Sequence, residues 1–529
     1  MQHLSGAFRY FLLFLTVAAI SAGYLLLPVP KHDPAPDPGS YDTYSRLLTA
    51  AKDGRSTEPY TLELPEITPA PCSVRVEAEN AGLPLPESGA YQRTDYSGNG
   101  YLAGVPAQTR SALTFHVSVP QTQHYAVTLC LASDCAGTHT LRIGDKVNSQ
   151  FLLESTGSFV RITFHRIFLM QGETEISVDT GNSTLDADYL ELTDDNAAED
   201  DSAVPAEALC DPDASPNAQK LYETMCGFWG EKMLTGQYVS GSSNQELDAI
   251  LAMTGQLPAI RFSALGSSND RRTVNDAADW HQYLGGIVGL MWQWNAPGTD
   301  SVYTEDAGFD LHAALRDQEA AALAMRSPEE AAADDSIPAE AVQLLTDIDR
   351  MAETLRPLAQ MDIPVLWRPL HEAGGGWYWW GGAGRSSYLK LWDLLYTRLT
   401  AYHNIHNLIW IWNGQSAGYL VPESQYDIAA VDVYLQPEID FGSRYEQFHS
   451  LRHLTGGGKL LALSECSAVP DPEMIRIDSA VWSFFGLWYG EYLPSPDAQD
   501  GSANYSSNDL YNLYNCEFAL SLNDFLSYC

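Results

Sequence analysis

The sequence predicts a β-sandwich followed by a (β/α)8 barrel, and three observations predict it. Between Cys72 and about Thr193, short alternating segments such as VRVEAEN, ALTFHVSV, HYAVTLCL and TEISVDT recur, punctuated by Gly, Asn and Asp. An antiparallel sandwich has that pattern. From Cys210 onward, apolar strand-like runs alternate with helical stretches, as in a parallel α/β fold. Eight such runs fit within residues 210–529, more than the roughly 250 residues an eight-stranded barrel takes.

A chain of 529 residues exceeds what a single core usually serves. Its composition is globular, with 45% hydrophobic and only 18% charged residues. The 13 Trp and 28 Tyr lean toward sugar binding, because flat rings stack on the apolar faces of pyranoses, although many such rings are core. Lys and Arg number 29 against 68 Asp and Glu, a formal net charge of −39. Such a surface repels phosphate backbones and polyanions, so nucleic acid is excluded as a partner and a neutral polymer fits. The acidity also serves solubility. The chain is expected to act as a monomer.

Residues 1–30 carry Arg9 and then an apolar run from Tyr10 to about Val29, an export signal. The run approaches the roughly 20 residues that span a bilayer, so a cleaved signal peptide and a retained membrane anchor are both compatible with it. Residues 31–71 begin as a Pro- and Asp-rich spacer and have no further assignment. The sandwich is expected over 72–194, an acidic linker over 195–209 and the barrel over 210–529. Eight cysteines in an exported chain permit disulfides, and Cys130 with Cys135 and Cys210 with Cys226 are the sequence-local candidates. No Cys/His cluster with zinc spacing occurs.

The expected barrel strands are KMLTGQY, LPAIRF, GGIVGLMWQW, IPVLWRPLHE, NLIWIWN, IAAVDVY, KLLALSE and AVWSFFGLW. An Ala- and Glu-rich stretch, EAAALAMRSPEEAAADD, follows the third and reads as helix on a solvated surface. Reactive groups of such barrels stand at the C-terminal ends of the strands. The fourth run ends in Glu372 and the seventh in Glu465, across the barrel mouth from each other. Cleavage of a glycosidic bond needs one carboxylic acid to protonate the leaving oxygen and a second carboxylate at the anomeric carbon. A separation of about 5 to 5.5 Å would let the second attack directly and retain configuration, whereas about 6.5 to 9.5 Å would admit water and invert it. Trp377, Trp379 and Trp380 follow Glu372 among glycines and are expected to line a groove.

Seven segments, LTGQY, GGIVGLMWQWNAP, DIDRMAETLRPL, IPVLWRPLHEAGGGWYWWGG, NLIWIWN, DVY and LALSEC, together resemble glycoside hydrolase family 26, chiefly endo-β-1,4-mannanases. The resemblance spans residues 210–529. It implies a retaining enzyme that cuts mannan, glucomannan or galactomannan, with Glu372 as acid/base, Glu465 as nucleophile and no cofactor for catalysis. It further implies that His371 and Trp377 contact substrate, that Tyr434 hydrogen-bonds the nucleophile, and that Trp488 is a platform beside the eighth strand. Where close relatives read WHWNAP, this chain has Gln293, which keeps hydrogen bonding but not a titratable ring. The same family includes β-1,3-xylanases and mixed-linkage β-glucanases, so these are alternatives, as are a transglycosylase and a non-catalytic carbohydrate-binding protein.

VRVEAENAGL, SGNGYLAG and LDADYLEL resemble carbohydrate-binding modules of family 35 and its neighbour family 6. That likeness implies a structural calcium held by Glu77, Glu79 and Asp188, with Tyr101 and Asn182 as sugar contacts. Hard oxygen ligands suit calcium, and solvated carboxylates at a strand start are the simpler alternative.

Overall fold

The computed structural model describes residues 60–81, 93–144, 147–196, 203–241, 244–434, 442–494 and 506–528. The apolar N-terminal run, most of the spacer, part of the acidic linker and Cys529 lie outside these residues. None of the described helices is long and apolar enough to cross a membrane.

The alternating segments form strands β1 (Ser73–Glu77), β2 (Leu102–Val105), β3 (Thr109–Val119), β4 (Gln123–Ala132), β5 (Gly137–Ile143), β6 (Val147–Leu153), β7 (Val160–Leu169), β8 (Gly172–Thr180) and β9 (Leu185–Asp194). One sheet runs β1-β9-β4-β7 with β2 also on β9, and the other runs β3-β8-β5-β6. The period of two puts Leu113, Phe115 and Val117 of β3 against Val127, Leu129 and Leu131 of β4 in one buried core. The antiparallel sandwich is therefore as expected.

The first barrel strand is split into β10 (Met233–Leu234) and β11 (Gly236–Tyr238). Parallel strands β12 (Ile260–Leu265), β13 (Ile287–Trp292), β14 (Val365–Arg368), β15 (Leu408–Trp412), β16 (Ile428–Val433), β17 (Leu460–Cys466) and β18 (Phe484–Leu487) follow in order. Gln237 of β11 pairs with Leu487 of β18 and closes the barrel. A short β19 (Ala519–Leu520) adds beside β10. All eight sequence runs supply a strand. Phe262 needs room in the barrel interior, and a Cβ on Gly289 would lie 2.1 Å from its ring. The register between β16 and β17 shifts after Val431, so that Asp432 stands opposite Glu465. Such an irregularity re-aims side chains beside a site.

The Ala- and Glu-rich stretch is not one solvated helix. It breaks into Ala320–Ala324 and Pro328–Ala332, because Ser327 caps the second helix and Pro328 opens it. Its inner face is held down by buried Arg398, which donates to the carbonyls of Ala324 (2.7 Å) and Arg326 (2.8 Å). The sandwich meets the barrel through His124 of β4, whose Nε2 lies 2.8 Å from Asp478 Oδ1, both groups being buried.

The two expected disulfides are absent, and Cys130, Cys135, Cys210 and Cys226 are free thiols, as are Cys72, Cys466 and Cys516. Cys130 is buried within β4 while Cys135 is exposed beyond its end. The extended strand advances about 3.3 Å per residue and carries the pair apart. Cys210 donates its backbone N–H to Asp427 (2.6 Å), whereas Cys226 points its Sγ at the carbonyl of Ala206.

Candidate active site

Strand ends β14, β16 and β17 bring three carboxyl groups together, and one oxygen each of Glu372, Asp432 and Glu465 fall within 4.8 Å of one another. Arg368, the last residue of β14, is 1% exposed and supplies the cation among them. Its Nη1 donates to Glu465 Oε1 at 2.6 Å and its Nη2 bonds Asp432 Oδ2. Tyr434 donates its hydroxyl to Glu465 Oε2 at 2.6 Å. Both Glu465 oxygens are thus tied by charged or phenolic donors, which fixes the carboxylate plane and favours its ionised form.

Glu372 is held differently. Its carboxyl accepts the indole N–H of Trp377 at 3.1 Å, has Asp432 as its other close side-chain partner, and is half-buried. Leu370 and Glu372 have φ of 48° and 53°. Such left-handed non-glycine backbone costs on the order of 1 to 3 kcal/mol and clusters at functional sites. The Glu372 N–H donates to Asn413 O (2.7 Å), which pins the turn to the end of β15. Burial, followed by the charges of Asp432 and Glu465, pushes the Glu372 carboxyl well above the ordinary carboxylate range. Burial raises Glu465 as well, but Arg368 and the Tyr434 hydroxyl oppose it. Glu465 therefore ionises before Glu372.

His371 is 1% exposed, and both of its ring nitrogens lack a hydrogen bond among the described residues. Burial, with Arg368 nearby, pushes its pKa well below the ordinary histidine value, so the ring is neutral. Buried nitrogens without partners are costly unless a ligand satisfies them. Gln293 follows β13, is half-exposed, and its amide has no hydrogen bond among the described residues. Trp488 follows β18 and packs on Tyr238 (4.8 Å between centroids), Tyr489 (4.7 Å) and Tyr434 (6.5 Å).

Of the three loop tryptophans expected in a groove, only Trp377 is half-exposed there. Trp379 and Trp380 are core, 2% and 0% exposed. Trp380 donates to the carbonyl of His371 at 2.7 Å and Trp379 to that of Trp294 at 2.6 Å, so they support the turn from beneath. The glycine that follows them signals close approach: a Cβ on Gly381 would lie 2.2 Å from the carbonyl of Ala373. Arg368, Asp432 and Asn413 were not singled out from sequence. An arginine inside the apolar run IPVLWRPL was the available signal, since a buried strand tolerates such a charge only when it is paired.

In the sandwich, Tyr101 is 1% exposed and packed between the tilted ring of Tyr96 and the edge-on ring of Phe159, so it is core and not a sugar contact. Asn182 is exposed, its side-chain oxygen accepting from Thr138 N at 3.0 Å. Glu77, Glu79 and Asp188 gather on the loop at 97–99. Ser97 Oγ donates to Glu77 Oε2 (2.7 Å) and Asp188 Oδ1 (3.1 Å), and Asn99 N donates to Glu79 Oε1 (3.1 Å). Glu79 Oε2 is buried without a hydrogen bond among the described residues. The ligand type suits a hard cation such as calcium, but among the described residues the oxygens of these three do not all converge within 4.8 Å of one another.

A parallel eight-stranded barrel that sets two unlike carboxyl groups in an aromatic cleft at its strand ends defines a glycoside hydrolase. Residues 210–521 match Glycosyl hydrolase family 26, and the chain belongs to that family. A mannan endo-1,4-beta-mannosidase of Thermothelomyces thermophilus is 29% identical over 486 residues, covering 88% of this chain and 93% of that protein. Mannan endo-1,4-beta-mannosidase B of a Piromyces species is 29% identical over 439 residues, covering 79% and 72%. The crystal structure of a Podospora anserina GH26-CBM35 β-(1,4)-mannanase superposes with a TM-score of 0.57 at 27% identity, covering 86% of this chain and 99% of that one.

Proposed function

We propose that this protein is an endo-acting glycosidase that cleaves β-1,4-mannosidic bonds in mannan, glucomannan or galactomannan with retention of configuration. The observation that carries the mechanism is the unequal pair at the barrel mouth: Glu465 tied by the cation of Arg368 and by Tyr434, and Glu372, with an oxygen within 4.8 Å, bonded by an indole N–H and lacking a cation of its own among the described residues. Oxygens approaching within 4.8 Å favour the short spacing of about 5 to 5.5 Å, at which the second carboxyl attacks directly, over the wider one that admits an inverting water.

In the first step Glu372 gives its proton to the glycosidic oxygen as the bond to the anomeric carbon breaks, and Glu465 Oε forms an ester to that carbon. In the second, the Glu372 carboxylate takes a proton from water, the water oxygen bonds the anomeric carbon, and Glu465 leaves as carboxylate. Neutral His371 and the half-exposed Trp377 supply a hydrogen-bonding edge and a flat face for the sugars on either side of the break. Two relatives named as mannan endo-1,4-beta-mannosidases, similar over most of their length, support mannan as the polymer. The N-terminal apolar run directs export, and the sandwich serves as a carbohydrate-binding module stabilised by calcium at Glu77, Glu79 and Asp188.

Gln293, half-exposed just after β13, favours a second reading, a changed sugar preference within the family. Reducing-end release from glucomannan, galactomannan, β-1,3-xylan and barley β-glucan separates the two. Cleavage of both mannans is expected, whereas cleavage of only the xylan or the β-glucan would replace mannan as the substrate.

A further inference from the structure

Double displacement uses two carboxyl groups, yet the site buries a third. The Asp432 side chain is fully buried at the end of β16. Its Oδ2 is bonded by Arg368 Nη2, and its Oδ1 accepts from Asn413 Nδ2 (3.1 Å) and Ser464 Oγ (2.6 Å). Asp432 thus accepts from a guanidinium, an amide and a hydroxyl. Arg368 also neutralises Glu465, so one cation already serves two anions before Glu372 is counted. A third negative charge within 4.8 Å would meet two like charges, with Arg368 the cation among the described residues that opposes them.

We propose that Asp432 is a positioning residue that keeps Glu372 protonated and ready to act as the acid. This rests on the paired-carboxylate reading of the site. The other groups facing Glu372 are Glu465 from β17, Arg368 and His371 from β14 and its turn, Tyr434 after β16, and Tyr303 and Tyr378 from the neighbouring loops. The neutral ring of His371 adds no charge. Asp432 raises the Glu372 carboxyl through its charge and as a hydrogen-bond partner, whereas Arg368 lowers it.

The test is the pH profile of kcat/KM for Asp432→Asn on mannan. Removing a like charge at this distance should move the alkaline limb, where Glu372 loses its proton, down by about 1 to 3 pH units. A dinitrophenyl glycoside, whose leaving group needs no proton, should be cut with a much smaller loss. A uniform fall in kcat with an unmoved alkaline limb would mean that Asp432 only holds Arg368 in place, and would overturn the inference. Carboxyl 13C titration of the wild-type protein decides the matter without a folded variant or a substrate. A proton held on Glu372 at neutral pH is expected, and a Glu372 already ionised there overturns it. Failure of the wild type to cut any mannan would count against the substrate reading and leave the titration outcome standing.

Discussion

Glu465→Ala should remove polysaccharide cleavage, with a loss in kcat/KM on the order of 10⁴-fold or more, while the protein stays folded. The barrel should tolerate the change because Arg368 keeps Asp432 as its partner, leaving one buried cation against one buried anion. Glu372→Ala should behave differently. It removes the proton donor but leaves the nucleophile with both of its supports, so the polysaccharide rate should fall by about 10² to 10⁴, the usual worth of a general acid. An aryl glycoside with a good leaving group should still form the glycosyl-enzyme rapidly. Azide, a small anion that needs no general base, should then restore turnover and yield a β-glycosyl azide. Equal losses on both substrates, or azide rescue of Glu465→Ala with retained configuration, would exchange or void the two roles. Initial rates with mannan and with a dinitrophenyl glycoside, with and without azide, read all of these outcomes.

Arg368→Met should lower stability by roughly 3 to 5 kcal/mol, the cost of leaving buried charges without their partner. The guanidinium is 1% exposed and bonds carboxylates of two different strands, so its removal leaves Asp432 and Glu465 facing each other across the register shift. Activity should fall as well, because Glu465 loses the cation that opposes the burial-driven rise of its pKa and stays protonated to higher pH. Chemical denaturation monitored by tryptophan fluorescence measures the first effect. A loss below about 1 kcal/mol, within the range of an exposed ion pair, would show the network to be incidental.

The fold was legible because both parts obey simple periods. Alternation of two gave the sandwich strands, and eight apolar runs separated by helices gave the barrel. Glu372 and Glu465 were legible because each ends its run and strand ends are where a barrel keeps its chemistry. What sequence did not reveal depends on contacts across the chain. Arg368 reads as one polar residue in an apolar strand until Asp432 and Glu465, 64 and 97 residues further on, are brought to it. Trp379 and Trp380 look like groove residues because glycines surround them, and the close approaches of Gly381 to Ala373 and of Gly382 to Thr304 explain the glycines beside them as packing. The Cys130 and Cys135 pair failed for a related reason, since proximity in sequence says little about reach when one member sits in an extended strand.

The central claim, that Glu465 is the nucleophile of a retaining mechanism, is tested most directly by trapping the intermediate. The protein would be incubated with a dinitrophenyl 2-deoxy-2-fluoro-β-manno-oligosaccharide, digested, and the labelled peptide sequenced by mass spectrometry. A single glycosyl adduct on Glu465, within the segment LALSEC, is the predicted result. An adduct on Glu372 or Asp432, or hydrolysis of natural mannan with inversion and no adduct at all, would contradict the account.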